Sequence, residues 1–275
     1  MENTEKSVEE IIEHLERTRQ FDVDVLSDPE TIELKPEKMD YLRKKLINKI
    51  KTCIANHKAK KLINKLVKNG ALRIDEMKGL ENFDNISGGA ILTCNHFSWM
   101  DCFINQKIFE KVQRKHQKFW KVIREGNYTN PPAFKFLFQN CDTLPLSQNK
   151  RTMMNFLRSV NTVLKRGDFV SIYPEESMWP DYKKPKPLKD GAFRFARNNN
   201  VPVVPIFITF RDSKDIVQDG KPIQIYTVHV SKPIYPNREL DTKTDIARMR
   251  EENYSAWVEI YESVYNKKLE YLEQD

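Results

Sequence analysis

One short stretch of the chain combines residue types that can move a proton. Ile91-Leu92-Thr93-Cys94-Asn95-His96 carries an apolar run into a histidine, and Asp101 follows five positions later. A carboxylate on one ring nitrogen of a histidine fixes its tautomer and leaves the other nitrogen to take a proton from a hydroxyl. Five residues turn a continuous helix by about 500°, which would put the two side chains on different faces. They can meet if His96 lies in a loop at a strand end and Asp101 in the first turn of the next helix. Ser98 then serves as the N-cap with Asp101 at the third helical position, as in a capping box. A second reading stays open on these residues alone: Asp101 as a plain capping residue and His96 as a polar loop residue. The sequence holds no G-x-S-x-G elbow for a serine nucleophile and no H-E-x-x-H pair for zinc, and His14, His57, His116 and His229 are scattered. No metal site is expected.

The elements that must position this pair follow from periodicity. Short apolar runs at Ala90–Cys94, Phe119–Arg124, Thr143–Leu146, Phe169–Tyr173, Val203–Thr209 and Ile223–Ser231 read as strands. Helical patterns fall between them at Asp101–Lys111, Pro132–Gln139, Arg151–Lys165 and Gly191–Asn198, and a long terminal helix is expected over Asp245–Leu272. Such alternation predicts an α/β fold, a mostly parallel sheet flanked by helices. Catalytic groups in such folds gather at the carboxyl ends of the strands. Asn95-His96 follows one strand there, and Pro174-Glu175-Glu176-Ser177 follows another.

These blocks carry a family resemblance. Asn95-His96-x-x-x-x-Asp101 resembles the N-H-x-x-x-x-D signature of the glycerolipid (lysophosphatidic acid) acyltransferase family. Tyr173-Pro174-Glu175-Glu176-Ser177 is similar to its later F-P-E-G-T block, and Val201-Pro202-Val203-Val204-Pro205 to its V-P-V-[IV]-P block. The resemblance implies that His96 is the base for an acceptor hydroxyl and Asp101 its orienting partner. It implies substrate-binding roles for Asn95, Glu175 and Ser177. It also implies a lysophospholipid acceptor and an acyl thioester donor, acyl-CoA or acyl carrier protein, with no resident cofactor. Three departures stand out: Glu176 occupies the glycine position of the block, Ser177 the threonine and Met178 the arginine that usually follows. The family's second block, which ends in an arginine thought to hold the acceptor phosphate, is not recognisable around Leu144–Arg151. Another cation must then serve a phosphorylated acceptor. Lys189 is the first choice, beside a helix start whose free amides favour anions; Arg194 and Arg151 are the next. They belong to a basic stretch after Ser177 with Lys183, Lys184, Lys186 and Arg197 interleaved with Trp179 and Tyr182.

Charge is distributed unevenly. The formal net charge is +7 over 275 residues, which favours an anionic membrane, a polyanion or phosphorylated substrates. No nucleic-acid-binding motif is recognisable, and no nucleic-acid partner is expected. Residues 1–38 form an acidic lead-in, with a short helix near Val8–Arg19 and breakers at Ser27-Asp28-Pro29 and Pro36. Residues 39–79 then read as a basic amphipathic helical extension. Leu42, Leu46, Ile47, Ile50, Ile54, Leu62, Ile63, Leu66 and Val67 repeat every three to four positions among ten lysines and arginines. The rest, 80–275, is the expected acyltransferase domain. No apolar stretch is long enough to span a bilayer and the start is too polar for a secretory signal. A cytoplasmic protein, peripheral on the cytoplasmic face of an anionic membrane, is therefore expected, its four cysteines reduced. A non-catalytic membrane-binding protein that keeps this fold is the alternative.

Overall fold

The computed structural model describes residues 7–26, 30–131, 133–218 and 221–274. The expected breakers Ser27-Asp28-Pro29 and the expected helix start at Pro132 lie outside them. The strands are β1 (Arg73–Lys78), β2 (Ala90–Cys94), β3 (Phe119–Ile123), β4 (Thr143–Pro145), β5 (Phe169–Ile172), β6 (Val203–Gln218) and β7 (Lys221–Val230). The helices are α1 (Val8–Arg17), α2 (Leu46–Lys68), α3 (Asp101–Val112), α4 (Glu125–Thr129), α5 (Lys135–Asn140), α6 (Lys150–Lys165), α7 (Gly191–Asn199) and α8 (Thr242–Tyr265).

The strands form one sheet in the order β1-β7-β6-β2-β5-β3-β4. All neighbours run parallel except β6 and β7, which pair antiparallel. β2 lies inside, between β6 and β5, and all five of its side chains are buried. Successive side chains of a strand point to opposite faces. Ile91 accordingly packs with α6, α7 and α8 through Val160, Phe193 and Trp257. Ala90, Leu92 and Cys94 pack with α3 through Ile104 and Ile108, and with Ile63 of α2. A strand covered on both faces cannot shift its register without exposing apolar groups, so the exit of β2 is a fixed point.

Two expectations need correction. Arg73–Lys78, placed in the helical extension, is strand β1 and pairs with β7. Its polar sequence gives no alternating apolar signal, because an edge strand has little to bury. Only Leu46–Lys68 of that extension is a long helix. The terminal helix also stops at Tyr265, before the expected Leu272; Asn266 takes a left-handed φ of 49° and ends it. No helix among the described residues is long and apolar enough to cross a membrane.

Candidate active site

β2 ends at Cys94, and the next residue fixes the loop that follows. Asn95 is buried; its amide donates to the Ile208 carbonyl at 3.0 Å and accepts from the Ile208 N–H at 2.8 Å. This side chain acts as an extra rung to β6 where the backbone of β2 turns away. His96 comes next, with 27% of its side chain exposed. Its Nδ1 lies 2.7 Å from Asp101 Oδ2, and the Asp101 side chain is fully buried. The same Oδ2 accepts the N–H groups of Phe97 and Ser98, each at 3.2 Å. Asp101 Oδ1 accepts the Tyr173 hydroxyl at 2.7 Å. Three donors thus converge on one buried carboxylate, which can accept from Nδ1 as well. In the tautomer in which Nδ1 donates to Asp101, Nε2 is left as the acceptor.

The local geometry differs from a capping box. α3 begins at Asp101 itself, Met100 occupies the cap position without a side-chain cap bond, and Ser98 Oγ accepts from Met100 N. Helical side chains tilt toward the N-terminus, so the first residue of α3 reaches back over the loop. That tilt brings His96 and Asp101 together.

Tyr173 adds a second contact, since its ring stacks on the His96 imidazole with centroids 4.1 Å apart. The F-P-E-G-T block that this stretch resembles has phenylalanine here; the tyrosine adds the hydroxyl that meets Asp101. The backbone is held from the other side by Glu175, only 2% exposed. Its Oε2 accepts the His96 N–H at 3.0 Å and its Oε1 the Lys186 N–H at 2.9 Å. The Lys186 ammonium, 1% exposed, lies 3.7 Å from Glu175. It donates to the Ser177 carbonyl at 2.8 Å and Ser177 Oγ at 2.6 Å, and sits 4.9 Å from the Trp179 ring centroid. Burial pushes Glu175 up from the ordinary carboxylate range, opposed by the ammonium and the two N–H groups. Burial pulls Lys186 down to about 8, opposed by Glu175. Glu176, at the family's glycine position, has φ 59°, in the left-handed region that glycine takes freely.

The expected roles divide accordingly. Asn95, Glu175 and Ser177 do not present their side chains to a substrate. They are buried and their hydrogen bonds are spent inside the protein, so they position the His96 loop. Two cations of the basic stretch after Ser177 are paired by the acidic lead-in, which folds across it. Lys184 pairs with Glu16 at 2.6 Å and Lys189 with Asp22 at 2.8 Å, while Arg197 pairs with Asp245 of α8 at 2.8 Å. Ser177 Oγ donates to the Phe21 carbonyl, and Trp179 Nε1 to the Val23 carbonyl. Lys189, Arg194 at the start of α7 and Arg151 at the start of α6 are all exposed at this end of the sheet. The sequence reading missed Arg124, which directly follows β3, bonds the Glu176 carbonyl and pairs with Asp24. Its strand-end position was the available signal. Among the described residues, no cluster of three His, Cys, Asp or Glu side chains could hold a metal ion.

The comparisons with known proteins agree with this geometry. Residues 75–209 match a family model described as acyltransferase. A chloroplastic 1-acyl-sn-glycerol-3-phosphate acyltransferase of Brassica napus is 26% identical over 180 residues, 63% of this chain and 48% of the relative. The chain thus spans about half the length of that curated relative. Among solved structures, the crystal structure of PlsC, the 1-acyl-sn-glycerophosphate acyltransferase of Thermotoga maritima, superposes with a TM-score of 0.51 at 18% identity. The match covers 76% of this chain and 81% of that one; at that identity it shows a shared fold. The segment that holds the Asn95-His96 and Asp101 set at the exit of β2 is thus similar to the acyltransferase family.

Proposed function

We propose that the protein transfers a fatty-acyl group from an acyl thioester to the hydroxyl of a lysophospholipid, with 1-acyl-glycerol-3-phosphate as the leading acceptor. The observation that carries this reading is the 2.7 Å contact between His96 Nδ1 and the buried Asp101 carboxylate. Asp101 holds the tautomer in which Nε2 is free, and Nε2 takes the acceptor's hydroxyl proton as its oxygen attacks the thioester carbonyl. The tetrahedral intermediate collapses, the C–S bond breaks, and the leaving thiolate takes the proton from His96. The thiol belongs to coenzyme A or to the phosphopantetheine of acyl carrier protein. Lys189, Arg194, Arg151 and Arg124 are the cations at this end of the sheet that can meet an acceptor phosphate. Lys189 and Arg124 must exchange Asp22 and Asp24 for it.

Both substrates carry acyl chains, and α2 supports a membrane location. The buried residues of α2 (Thr52, Ala55, Ile63) lie on one side. Leu46, Ile47, Ile50 and Ile54 point the other way and are 73%, 55%, 47% and 45% exposed. An apolar stripe flanked by lysines is the pattern of a helix lying in an anionic membrane surface. The cytoplasmic face, rich in anionic lipid, suits that charge.

The test is turnover by the purified chain with labelled acyl-CoA or acyl carrier protein against lysophosphatidate, neutral monoacylglycerol and a zwitterionic lysolipid. Phosphatidate as the main product supports the reading. No transfer to any lysolipid would leave a non-catalytic membrane protein as the better account.

A further inference from the structure

A second polar site lies at the opposite end of the sheet from His96. A cleft of about 600 Å³ opens beside the first turns of α2, and Arg43, Lys44, Lys49, Thr52, Lys118 and Arg166 are among its lining residues. Lys118 directly precedes β3 and Arg166 shortly precedes β5. Both strands run parallel to β2, so this is the amino end of the sheet and His96 stands at the carboxyl end.

The lining contains five cations and no carboxylate. Asp142 lies behind it, paired with Lys118 at 3.4 Å and accepting from Asn56 at 2.8 Å. Lys44, Lys49 and Arg166 have no ion-pair partner among the described residues. Two lining groups are also incomplete. Arg43 and Thr52 are each 5% exposed, and Arg43 Nε and Thr52 Oγ1 are buried without a hydrogen-bond partner. The other end of that guanidinium is fixed, with Nη1 on the Asp40 carbonyl and Nη2 on the Cys141 carbonyl, both at 2.9 Å. Buried donors left unpaired are costly. A clamped guanidinium with an unpaired N–H, an unpaired hydroxyl and three unneutralised cations suit an oxyanion.

The neighbourhood says what carries the oxyanion. Lys49 and Cys53, one helical turn apart, line the cleft, and the exposed Ile50 and Ile54 each follow by one residue, about 100° around the helix. A phosphate in the cleft would therefore have the apolar stripe of α2 little more than a quarter-turn away around the same helix. We infer that this cleft binds the phosphate headgroup of an anionic membrane phospholipid, at a site separate from acyl transfer, with the lipid's acyl chains along the α2 stripe. The inference rests on the membrane reading of α2 and is independent of the catalytic one.

The test compares two double variants that each remove two positive charges. Lys49→Ala/Arg166→Ala strips the cleft, and Lys61→Ala/Lys65→Ala strips the same helix outside it. The 275-residue chain is co-sedimented with phosphatidylglycerol vesicles and with phosphatidylcholine vesicles, and titrated with inorganic phosphate. The cleft pair is expected to weaken phosphatidylglycerol binding at least about tenfold more than the control pair, the loss of charge-assisted hydrogen bonds exceeding that of diffuse attraction. Thr52→Val is expected to weaken the same binding while raising the thermal midpoint of the lipid-free protein, because it removes an unpaired buried hydroxyl. Equal losses in the two pairs would overturn the site in favour of diffuse charge. Inorganic phosphate binding as tightly as vesicles, and lost only in the cleft pair, would overturn the lipid assignment. His96→Ala keeps the cleft and should keep vesicle binding while losing turnover, which separates this result from the fate of the acyl-transfer reading.

Discussion

At the carboxyl end of the sheet, Asp101 is fully buried and meets three donors and the His96 Nδ1. Glu175 and Lys186 are buried beside it and tied to the same loop. On the flank built by α2, Lys44, Lys49 and Arg166 stand exposed with no carboxylate paired to them. The difference follows from solvent. A charge removed from water has to find its partners within the fold, so at the catalytic end each pairing also fixes a geometry. A charge left in water is screened and can stay unpartnered at little cost until a ligand arrives. Rigid pairing suits a base that must hold one tautomer. Unpaired cations suit a surface that waits for anions.

The largest expected effect comes from removing the base. His96→Ala should lower acyl transfer by roughly 10²–10⁴-fold or more, the span of a general-base contribution. The thermal midpoint should fall modestly, because the buried Asp101 loses one hydrogen-bond partner while keeping the Phe97, Ser98 and Tyr173 donors. A rate within about threefold of wild type would place the chemistry elsewhere, since a lost general base costs far more.

The buried pair under the loop is the next point at which to break the comparison. Lys186→Met leaves Glu175 without its ammonium, and removing one partner of a buried pair costs about 3–5 kcal/mol. Both the thermal midpoint and the turnover number should fall. Glu175→Gln/Lys186→Met should recover part of the stability, because no lone charge remains; one of the two N–H contacts to residue 175 is still lost. A double variant as unstable as Lys186→Met would show that charge pairing is not what holds this loop. On the exposed flank the equivalent Lys61→Ala change should leave stability within about 0.5 kcal/mol, as surface substitutions usually do.

A smaller effect sharpens the contrast between two histidines. His96 has a carboxylate; His229, on β7, has Thr209 Oγ1 at 3.0 Å instead. Burial, helped by Lys78, holds His229 down to about 4 against an ordinary 6.5. Between those values the unfolded chain takes up a proton that the folded chain refuses, so stability falls as pH drops through this window. His229→Gln should flatten that part of the curve of thermal midpoint against pH while leaving turnover at neutral pH unchanged. An unaltered curve would assign the acid loss to other groups.

Much of this was legible in the sequence because it is local. The period of two in the strands and of three to four in the helices gave the α/β layering, and six strands fell close to their places. Asn95-His96 and Asp101 fall within seven residues, and their spacing required only a strand exit and a helix start. β1 was illegible, since Arg-Ile-Asp-Glu-Met-Lys at an edge carries no burial pattern. The acidic lead-in and the basic stretch after Ser177 were visible as charge runs, but their pairing joins Glu16 to Lys184 and Asp22 to Lys189, far apart in the chain. Taken alone, the sequence singled out residues whose types could do the chemistry, and the elements that carry them, because propensity and periodicity act over a few residues. Only the tertiary structure decided that Asn95, Glu175 and Ser177 face inward, that Lys186 is a buried counter-charge and that the apolar stripe of α2 faces out. Burial depends on which distant segments pack together, and no run of neighbouring residues specifies that.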